Sequence, residues 1–340
     1  MKTQRATAEA VPQELFQHHE KMTTVISGWQ PRVLEAYHRI RRSVDLTPLE
    51  PAPAWLANPG ECFFKREDLQ QTGSFKLRGA TNKVLSLKPD EASRGMIAVG
   101  GGNHGLGVAL AAQRAGIAAE IYVSSHVSPA KAARIEQLGA SLRRVGSDPL
   151  QAEIAARAAA EKSGKVFISP YNDVEVMAGQ GTIGVELLQQ TERLDAVFVA
   201  VGGGGLIGGI GAYLKAVSPA TEIVGCWPEN SRVLYESIKA GRILDVPEQP
   251  TLSESTAGGL EPDSVTLDVC RQVIDRSALV SEAEILAVMR RVRESEGWLM
   301  EGAAAVAVSA FQKERKRYGG KKVAIIICGG NVSPEVARQV

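Results

Sequence analysis

Short apolar runs that break into glycine and then into helical patterns recur along this chain, and no other feature restricts its fold as much. Gly95-Met96-Ile97-Ala98-Val99 reads as a strand; glycine-rich residues follow it, then an apolar helix over Gly107–Ala115. Ala119–Val123 is a strand followed by a helix over Pro129–Leu138, and Ser141–Val145 is another strand. A helix with its apolar face at Ala155, Ala159 and Ala160 leads to a strand over Val166–Ser169. Ala196–Val201, Glu222–Cys226 and Lys322–Ile327 continue the pattern. Strands buried on both faces and joined through helices form parallel sheets covered by helices. The predicted fold class is α/β.

The chain has 340 residues, 44% of them hydrophobic, which suits about two domains with buried cores. A formal net charge of +1 gives no reason to expect nucleic acid or an anionic membrane as partner. No apolar run reaches the roughly 18 residues of a membrane helix. Residues 1–28 are polar and lack the apolar stretch of a secretory signal, so they are expected to be a disordered leader, with Met22 a second candidate initiator. Cys62, Cys226, Cys270 and Cys328 show no CxxC spacing, which argues against a disulfide framework or zinc site and for a reduced, cytoplasmic compartment. The chain ends soon after Asn331, so no appended regulatory domain is expected.

Three glycine-rich features stand at the C-terminal ends of predicted strands, where open α/β sheets place ligands. The first is Ser74-Phe75-Lys76-Leu77-Arg78-Gly79-Ala80; the second is Gly100-Gly101-Gly102-Asn103-His104-Gly105; the third is Gly202-Gly203-Gly204-Gly205, opening a helix near Leu206. Alone, the tetraglycine is either a tight strand–helix turn or a cradle of backbone N–H groups for one phosphate. It is not a nucleotide P-loop, because no Gly-Lys-Ser/Thr follows. Lys76, set between Phe75 and Leu77, is either a snorkelling surface lysine or a partly buried amine able to form an imine with an aldehyde. Spacing alone does not choose.

Taken as an ordered set, these motifs and a terminal strand ending in Cys328-Gly329-Gly330-Asn331-Val332 resemble the fold-type II pyridoxal phosphate (PLP) enzymes, and within them the threonine/serine dehydratase and serine racemase group. The likeness runs from Thr47-Pro48-Leu49 to Asn331 and includes Ala178-Gly179-Gln180-Gly181-Thr182. It implies the tryptophan-synthase-β-like fold: a large cofactor domain of residues 29–91 and 166–340, and a small domain of residues 92–165, each an open parallel three-layer unit. It also implies PLP as cofactor, a small amino-acid substrate and a homodimer.

The same resemblance assigns roles. Lys76 carries the cofactor as a Schiff base and, once freed, removes the α-proton. Phe75 packs on the pyridine ring, Asn103 bonds the phenolic oxygen, and Gly202, Gly203, Gly204, Gly205 and the Leu206 N–H hold the phosphate. Ser74, Gly101, Gly102 and His104 line the loops that clamp the substrate carboxylate, with His104 read as steadying its loop rather than as catalytic. Cys328 faces the pyridine nitrogen, where a neutral thiol leaves the ring a weaker electron sink than an aspartate would; the competing reading is an inert buried cysteine. Glu301 approaches the ring and also suits the first turn of a helix running to Phe311.

Three departures narrow the activity. Racemases of the group carry a serine where this chain has Gly101, so a second proton donor is lacking and elimination is favoured. Trp227 and Val233 fall where carboxylates of a divalent-cation site would lie; Glu222 and Glu229 alone do not rebuild it, and no metal is expected. Thr256-Ala257-Gly258-Gly259 replaces the usual Ala-Asp-Gly of threonine dehydratases. It looks similar to the phenylserine and hydroxyectoine-utilisation dehydratases, which suggests a β-substituent larger than methyl. The expected reaction is dehydration and deamination of a β-hydroxy-α-amino acid to a 2-oxo acid and ammonia. The alternative is a β-replacement synthase of the cysteine synthase kind.

Overall fold

The computed structural model describes residues 28–56 and 61–340. The expected leader, apart from Gly28, lies outside them. Among the described residues, ten strands form two sheets. The six-stranded sheet has the order β1 (Leu49–Pro51), β2 (Cys62–Arg66), β10 (Val323–Ile327), β7 (Ala196–Ala200), β8 (Glu222–Pro228), β9 (Arg276–Val280). Only the β1–β2 pair in it is antiparallel. The four-stranded sheet is fully parallel, in the order β5 (Ser141–Arg144), β4 (Ala119–Val123), β3 (Met96–Val99), β6 (Val166–Ile168). Every residue of β7 and β10 is buried, as expected for central strands covered by helices on both faces.

Two expectations need correction. Val166–Ile168, assigned to the larger domain, pairs with Met96–Ala98 and so belongs to the smaller sheet. The helix α6 (Pro149–Ser163) buries Ala152, Ala156 and Ala160 rather than Ala155 and Ala159. In a run so rich in alanine the helical period is visible, but residue type does not set its phase. Between the two sheets run α2 (Lys76–Leu85), α4 (Asn103–Ala115) and α7 (Val174–Gln190).

A fully buried charge network holds α2 in place. The Arg78 guanidinium donates to Glu67 on one side (2.7 and 2.8 Å) and to Glu186 on the other (2.6 and 2.8 Å). Lys65 of β2 also donates to Glu186, to Gln190 and to the Thr47 carbonyl. Two cations and two anions, each with further hydrogen bonds, satisfy the condition under which buried charge is tolerated. The result ties β2, α2 and α7 together two residues from Lys76.

Candidate active site

A cavity of about 720 Å³ opens between the sheets, lined by Phe75, Lys76, Gly101, Gly102, Asn103 and His104 on one side. Gly202–Leu206, Gly258, Glu301 and Cys328 line it as well. The structure thus gathers the residues singled out in the sequence, with one exception: Ser74 is fully buried and is not on the cavity wall. Its Oγ has no hydrogen-bond partner.

Four helices point their N-termini at this space: α2, α4, α8 (Gly205–Val217) and α12 (Gly302–Glu314). Their N-cap residues are Phe75, Gly102, Gly204 and Glu301, and none of them makes a side-chain capping bond. Uncapped N-termini leave backbone N–H groups free and concentrate positive potential, which favours an anionic ligand.

Lys76 lies at the start of α2. Its Nζ donates to the Pro170 carbonyl at 2.7 Å and sits 5.2 Å from the centre of the Phe75 ring. Burial pulls its pKa down from 10.5 to about 8, against the opposing pull of Cys328 and Glu301. A sizeable neutral fraction near neutral pH makes this amine a nucleophile and a base.

Asn103 opens α4 and donates from Nδ2 to both oxygens of Glu301 at 2.8 and 3.0 Å. Glu301 accepts further bonds from Ser255 Oγ and the Asn331 N–H, both at 2.9 Å. Its carboxylate is therefore spent on the neighbouring loops rather than on capping α12. Burial raises its pKa, and these donors oppose the rise. Asn331 completes the group, donating to Asn103 Oδ1 and to the Thr72 carbonyl, each at 2.7 Å.

His104 Nε2 bonds the Ile168 carbonyl at 2.8 Å, while Nδ1 is buried without a partner. Burial, with Lys76 nearby, pulls its pKa down to about 3, so the ring is neutral and serves to tie α4 to the end of β6. Cys328 directly follows β10; its carbonyl accepts from the Phe75 N–H at 3.0 Å, and burial drives its thiol pKa far up.

Two glycines are required by what surrounds them. A Cβ on Gly203 would lie 2.4 Å from the Tyr171 ring, so only glycine lets the loop close over that ring. A Cβ on Gly101 would meet Val127 Cγ2 at 2.7 Å: the space a side chain would use there is filled. Gly258, by contrast, has φ +128° and open space around it.

Sequence reasoning missed the segment Ser169–Asn172. Pro170 receives Lys76, and Tyr171 lies under Gly203 and Gly205. The Tyr171 hydroxyl accepts from the Glu261 N–H at 2.9 Å. The Glu261 carboxylate in turn accepts from Asn172 (2.7 Å) and pairs with Arg157 of α6 (2.6 Å). The glycine cradle and the 256–261 loop are thus joined through one aromatic residue. Its only advance signal was a position at the C-terminal end of a strand.

Residues 40–329 match the family described as pyridoxal-phosphate dependent enzyme. The chain belongs to that family. It is 40% identical over 273 residues to an L-threonine ammonia-lyase of Thermotoga maritima, covering 80% of this chain and 68% of the relative. A phenylserine dehydratase of Ralstonia pickettii is 32% identical, with 91% and 92% covered. A solved structure of the processed form of threonine deaminase isoform 2 from Solanum lycopersicum superposes with a TM-score of 0.86 at 29% identity, covering 93% of this chain and 92% of that one.

The residues present suit a PLP cofactor. The uncapped tetraglycine helix, closed over Tyr171, offers a cradle for the phosphate, and Lys76 is the buried amine within the same cavity. Trp227 and Val233, expected from the sequence to stand where a cation site would need carboxylates, are both buried. Glu222 accepts from Tyr318 at 3.1 Å. Among the described residues no group of three or more His, Cys, Asp or Glu side chains is placed to hold a metal ion.

Proposed function

We propose that this PLP-dependent enzyme is a hydroxy-amino-acid ammonia-lyase, converting a β-hydroxy-α-amino acid to a 2-oxo acid and ammonia. The observation that carries the reading is Lys76: a buried amine with a lowered pKa, in a cavity onto which four uncapped helix N-termini converge. When bound, PLP withdraws electrons from the substrate Cα, which acidifies its hydrogen and lets the β-hydroxyl leave. Lys76 would hold the cofactor, and its neutral amine would accept the proton from Cα. Backbone N–H groups of residues 202–206 hold the phosphate, and those at residues 102–104 bind the substrate carboxylate. Glu301 fixes the Asn103 amide, and Cys328 contributes a neutral thiol to the same wall.

The filled space at Gly101 leaves Lys76 as the one proton carrier at Cα and supports elimination without racemisation. The names of the relatives support the dehydratase reading over β-replacement. We further infer a homodimer in the cytoplasm. The four cysteines are buried and unpaired, which suits a reduced compartment, and no helix among the described residues is long and apolar enough to cross a membrane.

Borohydride reduction of the coloured protein should label Lys76, and Lys76→Ala should abolish both colour and ammonia release, a loss of at least roughly 10²–10⁴ in rate. A colourless protein in the presence of PLP contradicts the reading. Rapid cysteine formation from O-acetylserine and sulfide, without ammonia from hydroxy amino acids, points to the synthase instead.

A further inference from the structure

We propose that the substrate side chain carries an acidic group, a carboxylate on or just beyond Cβ, and that Lys131 and Arg134 receive it. The inference rests on the dehydratase reading and names the substrate class for that site.

The helix α5 (Pro129–Gln137) overhangs one end of the cavity. Lys131 and Arg134, three residues apart and hence on one face, both line it. Two contacts fix which end this is. Val127, just before α5, is the residue that a Cβ on Gly101 would strike, so the helix starts beside the loop assigned to the substrate carboxylate. Arg134 Nη1 donates to Asn331 Oδ1 at 3.1 Å, and Asn331 bonds both Thr72 and Asn103. The phosphate cradle, with Tyr171 and Thr256 packed against it, is a separate part of the wall. The two cations therefore stand over the substrate end.

The acids that line the cavity are already engaged. Asp148 caps α6 through the Gln151 N–H, and Glu153 pairs with Arg157. Glu254 accepts from Ser333, and Glu301 accepts from Asn103, Ser255 and Asn331. By contrast, no acidic side chain pairs with the Lys131 ammonium among the described residues. Arg134 spends one N–H on Asn331 and keeps the rest of its planar fork, which matches a carboxylate. Gly258 and Gly259 also line the cavity and present no side chain to it, with nothing within 4 Å of where a Cβ would stand.

The reaction balances without a further reactant. Cα–H and Cβ–O bonds break, water leaves, and a carbon–carbon double bond forms. Tautomerisation and addition of one water then release ammonia and a 2-oxo diacid. The distal carboxylate is unchanged and serves only recognition.

The test uses the holoenzyme with L-threonine, phenylserine and both β-diastereomers of 3-hydroxyaspartate, scored for ammonia and 2-oxo acid. One hydroxyaspartate diastereomer should exceed threonine in kcat/KM by at least about tenfold. Lys131→Met should cut that preference by about ten- to a hundredfold, mainly through KM, the size expected for losing a charge-assisted hydrogen bond. Lys131→Arg should restore most of it. Arg134→Met should act in the same direction, and Lys131→Met carries the test alone if that variant misfolds. Succinate should inhibit competitively and more strongly than butyrate, and this difference should vanish in Lys131→Met. Turnover of threonine or phenylserine with no preference for the acidic substrate, or a preference unmoved by Lys131→Met, overturns the inference and leaves the dehydratase reading standing. Absence of ammonia from every hydroxy amino acid overturns both.

Discussion

Lys76 Nζ donates to the Pro170 carbonyl across 2.7 Å, so the reactive amine is held by a backbone atom of the strand–helix connection that also supplies Tyr171. A carbonyl acceptor orients the amine without adding a negative charge beside it. Burial is then free to depress the pKa to about 8.

A pH dependence of cofactor uptake follows. Imine formation requires the neutral amine, and a lowered pKa means that this form increases as pH rises toward about 8 and is dominant above it. Apoprotein mixed with PLP should gain visible absorbance at a rate rising about tenfold per pH unit below that point and flat beyond it. A rate still climbing at pH 10 would indicate an ordinary exposed lysine. His104, with its pKa near 3, should add no inflection.

Tyr171 should show two separable effects. Tyr171→Phe keeps the ring beneath Gly203 but leaves the Glu261 N–H without its acceptor, at a cost of about 1 kcal/mol. PLP retention should change little while the substrate KM rises. Tyr171→Ala also removes the ring, costs about 3 kcal/mol or more, and should weaken PLP binding in a spectral titration. Equal damage from both variants would contradict the division.

The cysteines should be chemically silent in the folded protein. Burial pushes the Cys62 and Cys270 thiols up to about 12 and drives those of Cys226 and Cys328 well above their ordinary 9.0. The reactive thiolate is therefore scarce at pH 8. A chromogenic disulfide reagent should find fewer than one thiol per native chain and all four after unfolding.

Arg78→Met should be among the costliest single changes. It leaves Glu67 and Glu186 buried with Lys65 as their one remaining cation, a loss of about 3–5 kcal/mol, readable as a fall in Tm. Burial alone would raise the Glu67 pKa, but Arg78 outweighs it and the carboxyl lies below its ordinary 4.5. Its contribution to stability is thus present above that value and lost as pH falls through the depressed pKa, so the acid unfolding limb should flatten in the variant.

Much of the fold was legible because β-branched runs and glycine breaks are local signals. Ala119–Val123 and Lys322–Ile327 were placed within a residue of the observed strands. The phase of α6 and the sheet membership of β6 were not legible, since both depend on packing partners far along the chain. At the site, Lys76, Asn103 and the tetraglycine carry recognisable local patterns. The roles of Tyr171, Ser255 and Glu261 depend on contacts with distant segments, as in the Tyr171–Glu261 and Ser255–Glu301 bonds, 90 and 46 residues apart. Asn331 was visible within its motif, yet its bond to Asn103, 228 residues distant, was not.

The position of β10 has a consequence for biosynthesis. This strand, the latest in sequence of the ten described, pairs with β2 on one side and β7 on the other, in the interior of the six-stranded sheet. Until it leaves the ribosome, β2 and β7 present open edges to one another across a gap, and Cys328 and Asn331 are missing from the cavity. The smaller sheet, spanning residues 96–168, can assemble early during translation. The cofactor pocket cannot. Its completion waits on a long-range strand insertion, a slow class of folding event that exposes unpaired edges meanwhile, and PLP capture is thereby deferred until β10 has been made.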